Sequence, residues 1–194
     1  MNKPLLSFAK SDYTIVSGGQ TGADIAGLNA ARTLKFKTGG WAPKDWMTES
    51  GPQKELLESF GLIEHKGGYR PRTIQNVKDS DITFIISRKW SSPGTILTMN
   101  ACKKNNKPFI AMTEELNIYE LYMLPDLKSK IKKSLKLSDL SDEDINTIER
   151  QHNLIAECLL NYRTINVAGN SESNASGIEL MSFNIFYDIF NRMF

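Results

Sequence analysis

The sequence predicts an α/β sandwich, a mostly parallel sheet covered by helices on both faces. Short β-branched apolar runs recur along the chain, and segments with helical spacing separate them. Runs of this kind also empty through glycine-bearing loops into helices, as strands of an open parallel sheet do. Tyr13–Ser17 (YTIVS) reads as a first, buried strand ending in glycines. Ala23 to Leu34 follows as a helix, with Ala23, Ala26, Ala30 and Leu34 at helical spacing beside Ile25 and Leu28. Thr38–Pro52 (TGGWAPKDWMTESGP) is rich in Gly, Pro and Trp and reads as a loop. Arg72–Val77 reads as a short helix before a second strand, Ile82–Ser87 (ITFIIS). Ser92-Pro93-Gly94 turns the chain into a helix from Thr95 to Lys104, which Asn105-Asn106 stops. Pro108–Met112 (PFIAM) is the third clear strand and Thr164–Val167 (TINV) the fourth. The last helix starts near Ser176-Gly177 and runs to the C-terminus.

Between the third and fourth strands, Glu114 to Tyr162 reads as a helical insertion (about 114–162) in a single domain spanning 1–194. Lys128, Lys130, Lys132, Lys133 and Lys136 crowd its first half; Asp139, Asp142, Glu143, Asp144 and Glu149 crowd its second. Ser141 with Asp144 fits a helix start, and Ile145, Ile148, Ile155 and Leu159 carry that helix to about Asn161. The lysines read as a solvated face neutralised by the acidic run in preference to an anion patch.

The chain has 194 residues, with 24 basic against 22 acidic side chains and a formal charge of +2. With 40% hydrophobic and 24% charged residues it is an ordinary globular composition, which excludes wholesale disorder. The near-neutral balance gives no electrostatic reason to bind nucleic acid or an anionic membrane. Cys102 and Cys158 make no disulfide framework and suit a reducing compartment. MNKPLLSFAK lacks the apolar run of a signal peptide, so a cytoplasmic protein is expected. The most apolar stretch, Ile178–Phe194, is interrupted by Asn184, Asp188, Asn191 and Arg192 and reads as no membrane span. It is apolar around more than one face, so it asks for burial in the domain or at a subunit interface; a homo-oligomer through this helix is expected.

Ser17-Gly18-Gly19-Gln20-Thr21-Gly22-Ala23-Asp24 carries most of the functional signal. A strand emptying into glycines and then a helix is how open α/β sheets build an anion site: glycine admits the ligand to the backbone, and unsatisfied N–H groups point at it. A P-loop would need Gly-Lys-Ser/Thr at the helix start, whereas Gly22 precedes Ala23-Asp24. The dinucleotide fingerprint would place glycine at position 17, which is Ser, and lacks the acid expected further along, so an NAD dehydrogenase is not indicated.

Further candidate binding residues fall where a parallel sheet presents ligands. Gly40, Trp41 and Lys44 offer flexible backbone, a flat aromatic and a cation, although Trp41 and Trp46 serve equally as loop anchors. Arg72, Thr73 and Asn76 share a helix, with Arg72 and Asn76 four residues apart on one side. Ser87, then Gly94-Thr95, repeats the strand–loop–helix geometry, and Glu172 and Ser173 follow the fourth strand. A zinc site is not indicated by His65, His152 and the two cysteines, and Cys102 reads as core.

These stretches together resemble the family called putative molybdenum cofactor carriers, related to the lysine-decarboxylase-like phosphoribohydrolases. The motifs are IVSGGQTGADIAGLNAA (Ile15–Ala31), GGWAPK (Gly39–Lys44), ESGP (Glu49–Pro52), RTIQNVKDSDITFIIS (Arg72–Ser87), PGTILT (Pro93–Thr98), KPF (Lys107–Phe109) and INVAGNSESNASGI (Ile165–Ile178). The resemblance implies a Rossmann-like three-layer sandwich, a homo-oligomer, and a pocket for molybdenum cofactor (molybdopterin) or another nucleotide-like phosphate ligand. The phosphoribohydrolases carry PGGxGTxxE with a catalytic Glu; here Thr98 stands at that position, and a hydroxyl without a base cannot do a carboxylate's work. The expectation is therefore binding and carrying without catalysis, with a nucleoside monophosphate hydrolase or a nucleotide-signal sensor as alternatives.

Overall fold

The computed structural model describes residues 8–113, 118–135 and 143–194. Its main sheet has seven strands: β1 (Thr14–Val16), β2 (Lys37–Ala42), β5 (Leu62–Glu64), β6 (Ile82–Ile86), β7 (Phe109–Met112), β8 (Ile118–Tyr122) and β9 (Thr164–Gly169). A separate hairpin pairs β3 (Met47–Thr48) with β4 (Gly51–Pro52). The helices are α1 (Ala23–Thr33), α2 (Lys54–Ser59), α3 (Tyr69–Asp79), α4 (Pro93–Lys104), α5 (Pro125–Leu135), α6 (Glu143–Leu159) and α7 (Ile178–Asn191).

The strand order is β5-β2-β1-β9-β6-β7-β8, parallel throughout except for β8, which runs antiparallel to β7. The chain thus winds outward from β1 on one side and from β6 on the other, and β9 returns to fill the middle. The carboxyl ends of β1, β9 and β6 meet where the winding reverses, the place at which such sheets bind ligands.

Both faces are buried, which is why the strands read as near-continuous apolar runs. Along β6, Ile82, Phe84 and Ile86 pack with α1, α6 and α7, whereas Ile85 packs with Val77 of α3 and with Ala101 and Cys102 of α4. A third cluster joins Ile25 and Leu28 of α1 to Trp46, Leu57, Phe60 and Leu62. This is the expected three-layer, Rossmann-like α/β sandwich.

The helix ends follow local chemistry. Ser92 caps α4 by accepting from the Thr95 N–H, Pro93 occupies the first turn, and Asn106 leaves with a φ of 52°. Helix α3 begins earlier than the predicted Arg72, because Pro71 is tolerated in a first turn.

Two readings of the sequence are corrected. Thr38–Pro52 is not a plain loop: it holds most of β2 and the β3–β4 hairpin. Glycine hides the strand, and Gly40 is there for a reason: its φ is +120°, and a Cβ would lie 2.3 Å from the Ser17 carbonyl oxygen. The insertion is not wholly helical, since β8 extends the sheet before α5 and α6, and α6 ends at Leu159. Lys136, Asp139, Ser141 and Asp142 lie outside the described residues. Lys130 of the lysine run pairs with Glu157 of α6 at 3.4 Å.

Helix α7 buries Ile178, Ile185, Phe186, Ile189 and Phe190 in the core, and leaves Leu180 and Tyr187 exposed. The Tyr13, Phe36, Phe190 and Phe194 rings pack edge-on or tilted where α7 ends. Among the described residues, no helix is long and apolar enough to cross a membrane.

Candidate functional site

A cleft of about 330 Å³ opens at the carboxyl ends of β1, β9 and β6. Gly18, Gln20, Thr21 and Asp24 line one wall, Arg72, Thr73 and Asn76 of α3 a second, and Gly94 and Thr98 of α4 a third. The two glycine corners expected from the sequence therefore face one space.

The first corner uses the backbone donors of residues 20–23 internally. The Gln20 N–H donates to Asp24 Oδ2 (3.3 Å), the Thr21 N–H to Gln20 Oε1 (3.0 Å), and the Gly22 N–H to Glu179 Oε2 (3.2 Å). The Ala23 N–H donates to the Asn170 carbonyl at 3.0 Å. What faces the cleft instead is the Arg72 guanidinium. It is 8% exposed, and its Nη1 donates to Asp24 Oδ2 at 3.2 Å. A Cβ at Gly18 would lie 1.3 Å from that Nη1, so glycine is what lets the guanidinium lie flat on the strand end. Its Nε is buried without a hydrogen-bond partner. Burial pushes the Asp24 carboxyl above its ordinary range, against the opposing pull of Arg72.

The second corner is built around Asn170, just past β9 and 2% exposed. Its Oδ1 accepts from Ser87 Oγ (2.9 Å) and from the Arg88 and Lys89 N–H groups (2.8 Å each). Its Nδ2 donates to Ser92 Oγ (3.0 Å), Thr95 Oγ1 (3.1 Å) and the Lys89 carbonyl (3.2 Å). Ser87 and Thr95 are consumed in this hub behind the cleft. Gly94, by contrast, faces open space, with nothing within 4 Å of an added Cβ. The Thr98 hydroxyl donates to the Gly94 carbonyl at 3.0 Å.

Glu49, in the turn of the β3–β4 hairpin, closes the mouth. Its carboxylate accepts from Thr21 Oγ1 (2.7 Å), the Ser173 N–H (3.2 Å) and Ser173 Oγ, while its own N–H donates to Gln20 Oε1 (2.8 Å). Partial burial works to raise its pKa, but hydrogen bonds from Ser171, Ser173 and Thr21 together hold the carboxyl below its ordinary range.

Other residues named from the sequence sit apart from the lining. Gly19 packs against Leu57 and Leu62. Gly22 and Glu172 serve helix ends: the Glu172 carboxylate accepts from the Gly177 and Glu179 N–H groups at the start of α7. Trp41 is an anchor, its backbone bound both ways by the Asn76 amide (2.8 and 3.0 Å) and its indole N–H by Asp79 (2.7 Å). Trp46 is buried in the core, and Lys44 is exposed, away from the cleft. Ser173 reaches the site through Glu49. Cys102 is core, its thiol pushed up to about 11 by burial.

Sequence reasoning missed Glu49, Tyr69, Ser92, Leu97, Asn166, Ser171 and Asn174, all on the lining. Asn166 was detectable in principle: a buried amide inside an apolar strand is a polar group with a task. Among the described residues, no group of three or more His, Cys, Asp or Glu stands ready to hold a metal ion.

Fold and site together define an α/β protein with a cleft at the switch point of its sheet. The sequence model of the circularly permutated YpsA SLOG family (cpYpsA) matches residues 15–128, and the chain belongs to that family. A solved structure from Syntrophus aciditrophicus SB, named a putative molybdenum carrier protein, shares 26% identity with it. The match covers 93% of each chain with a TM-score of 0.61. Both findings bear out the resemblance read from the motifs. No curated protein matches the sequence.

Proposed function

We propose that the cleft binds a small phosphate-bearing ligand with a flat ring system, and that the protein holds and hands over this ligand without breaking a bond. One observation carries the reading: a guanidinium on the cleft lining, 8% exposed and lying against Gly18, whose buried Nε has no hydrogen-bond partner. An orphaned buried donor of that kind asks for an anion.

Molybdenum cofactor is the leading candidate, because the similar solved protein bears the name of a molybdenum carrier. The residues fit its phosphate end: Arg72 gives the cation, and Gly94, at the start of α4, gives backbone that a ligand can approach. The cleft, about 330 Å³, falls at the small end of small-molecule sites. When bound, the group would bring its own dithiolene to the metal, while Arg72, Gly94 and Thr98 orient it. Native mass spectrometry of protein purified without oxygen tests this; a co-purifying pterin is the expected result, and a protein that stays bare when offered the cofactor would end it.

A second reading, hydrolysis of an N-glycosidic bond in a nucleoside monophosphate, is favoured by one feature. Asp24 and Glu49 line the same cleft with acidities displaced in opposite directions, the pattern of an acid and a base. Release of free base from nucleoside monophosphates would establish it. The exposed Leu180 and Tyr187 side of α7 supports a homo-oligomer, which light scattering coupled to gel filtration tests.

A further inference from the structure

The Glu49 carboxylate sits in a seat made of neutral donors. Thr21 Oγ1 approaches from the loop after β1, and the N–H and Oγ of Ser173 from the loop after β9. The latter loop is braced, since Asn174 Nδ2 donates to Ser171 Oγ at 2.7 Å. Hydroxyls and a backbone amide converging on two oxygens would hold any oxyanion, because nothing in the donor set selects a carboxylate over a phosphate. Thr21, Ser171 and Asn174 also line the cleft, so the seat opens on the same space as Arg72.

We propose that this seat is an anion subsite of the cleft, suited to a phosphate group, and that Glu49 is the chain's own competitor for it. The inference rests on the reading that the cleft takes a phosphate-bearing ligand, and adds where a second anionic group goes and what it must displace. Glu49 is suited to leave. It is exposed, and it lies in the turn of a hairpin whose strands are two residues each. A ligand entering the seat therefore displaces the Glu49 carboxylate, while the Glu49 N–H bond to Gln20 Oε1 still holds the turn.

The test is titration with inorganic phosphate at constant ionic strength, followed by phosphorus NMR, with thermal melting of every variant to confirm folding. Glu49→Ala should bind phosphate at least about fivefold more tightly than the parent, and Glu49→Gln, which keeps the size and loses the charge, by less. Adding Ser173→Ala or Thr21→Val to Glu49→Ala should erase the gain. Equal or weaker binding by Glu49→Ala overturns the proposal. So does a gain that survives both added substitutions, since general charge repulsion would then explain it. Arg72→Gln separates the two ideas: if it abolishes phosphate binding while Glu49→Ala gains nothing, the cleft reading stands and the subsite falls.

Discussion

The two glycine corners of the cleft look alike in sequence and differ in construction. At the first, between β1 and α1, the N–H groups of residues 20–23 are all accepted by the protein itself, by Asp24, Gln20, Glu179 and Asn170. Its glycine serves a side chain, allowing Arg72 to lie across Gly18. At the second, between β6 and α4, the Asn170 amide organises the loop from behind, and Gly94 stands open. A strand–glycine–helix pattern therefore marks where chain and ligand can meet, not which group does the meeting. In one corner a guanidinium does it; in the other the backbone is free to.

The sharpest way to break this contrast is to remove the hub. Asn170→Ala orphans the buried Ser87 hydroxyl and removes the acceptor of the Lys89 N–H, each worth about 1–3 kcal/mol, while the Ser92 and Thr95 hydroxyls keep each other. A loss of roughly 4 kcal/mol is expected in urea or guanidinium unfolding, and a loss below about 1 kcal/mol would show that the hub is dispensable.

Gly18→Ala comes next. The new methyl group displaces Arg72 and leaves Asp24 without its ion pair, so about 2–3 kcal/mol of stability and at least tenfold in ligand affinity should go. Gly94→Ala is the matched control. Its Cβ meets nothing, and alanine suits a helix better than glycine by up to about 1 kcal/mol, so stability should hold or rise in the same unfolding assay.

The smallest effects are those of pH, and they carry opposite signs. Asp24 has a folded-state value raised above 3.8, so the folded chain holds that proton more tightly than the unfolded one. Its favourable contribution is complete below about pH 3.8 and is lost as the pH rises through the folded value. Urea unfolding between pH 4 and pH 8 should accordingly show wild type losing ground to Asp24→Asn with rising pH. Glu49, lowered from 4.5, contributes above that pH and loses its contribution as acid protonates it, so Glu49→Gln should flatten the acid limb slightly.

The sequence made most of the fold legible, and the failures have physical causes. β1, β6, β7 and β9 announce themselves because both of their faces are buried and their residues are apolar or β-branched. β2 does not, because Gly39-Gly40 removes the side chains that mark a strand, and Gly40 is required by its approach to Ser17. α2 and β5 are too short to show a period. Within the site, Asp24, Arg72, Asn76 and Thr98 were readable because each lies on a helix that the sequence pattern marks. Glu49 and Asn170 were not, since their partners are 124 residues away at Ser173 and 83 residues away at Ser87. No local pattern encodes such meetings.

The packing of α7 has a consequence for how the chain finds this structure. Phe186 and Phe190 fill the core beneath strands that begin at Thr14, and the Tyr13 hydroxyl bonds the Leu160 carbonyl across 147 positions. Closing loops of that length costs entropy before any contact rewards it, so the rate-limiting encounter in folding should bring opposite ends of the chain together. A chain cut before residue 178 would be left with β1 and α1 formed in outline and their inner faces wet, a candidate for chaperone capture instead of a smaller folded protein.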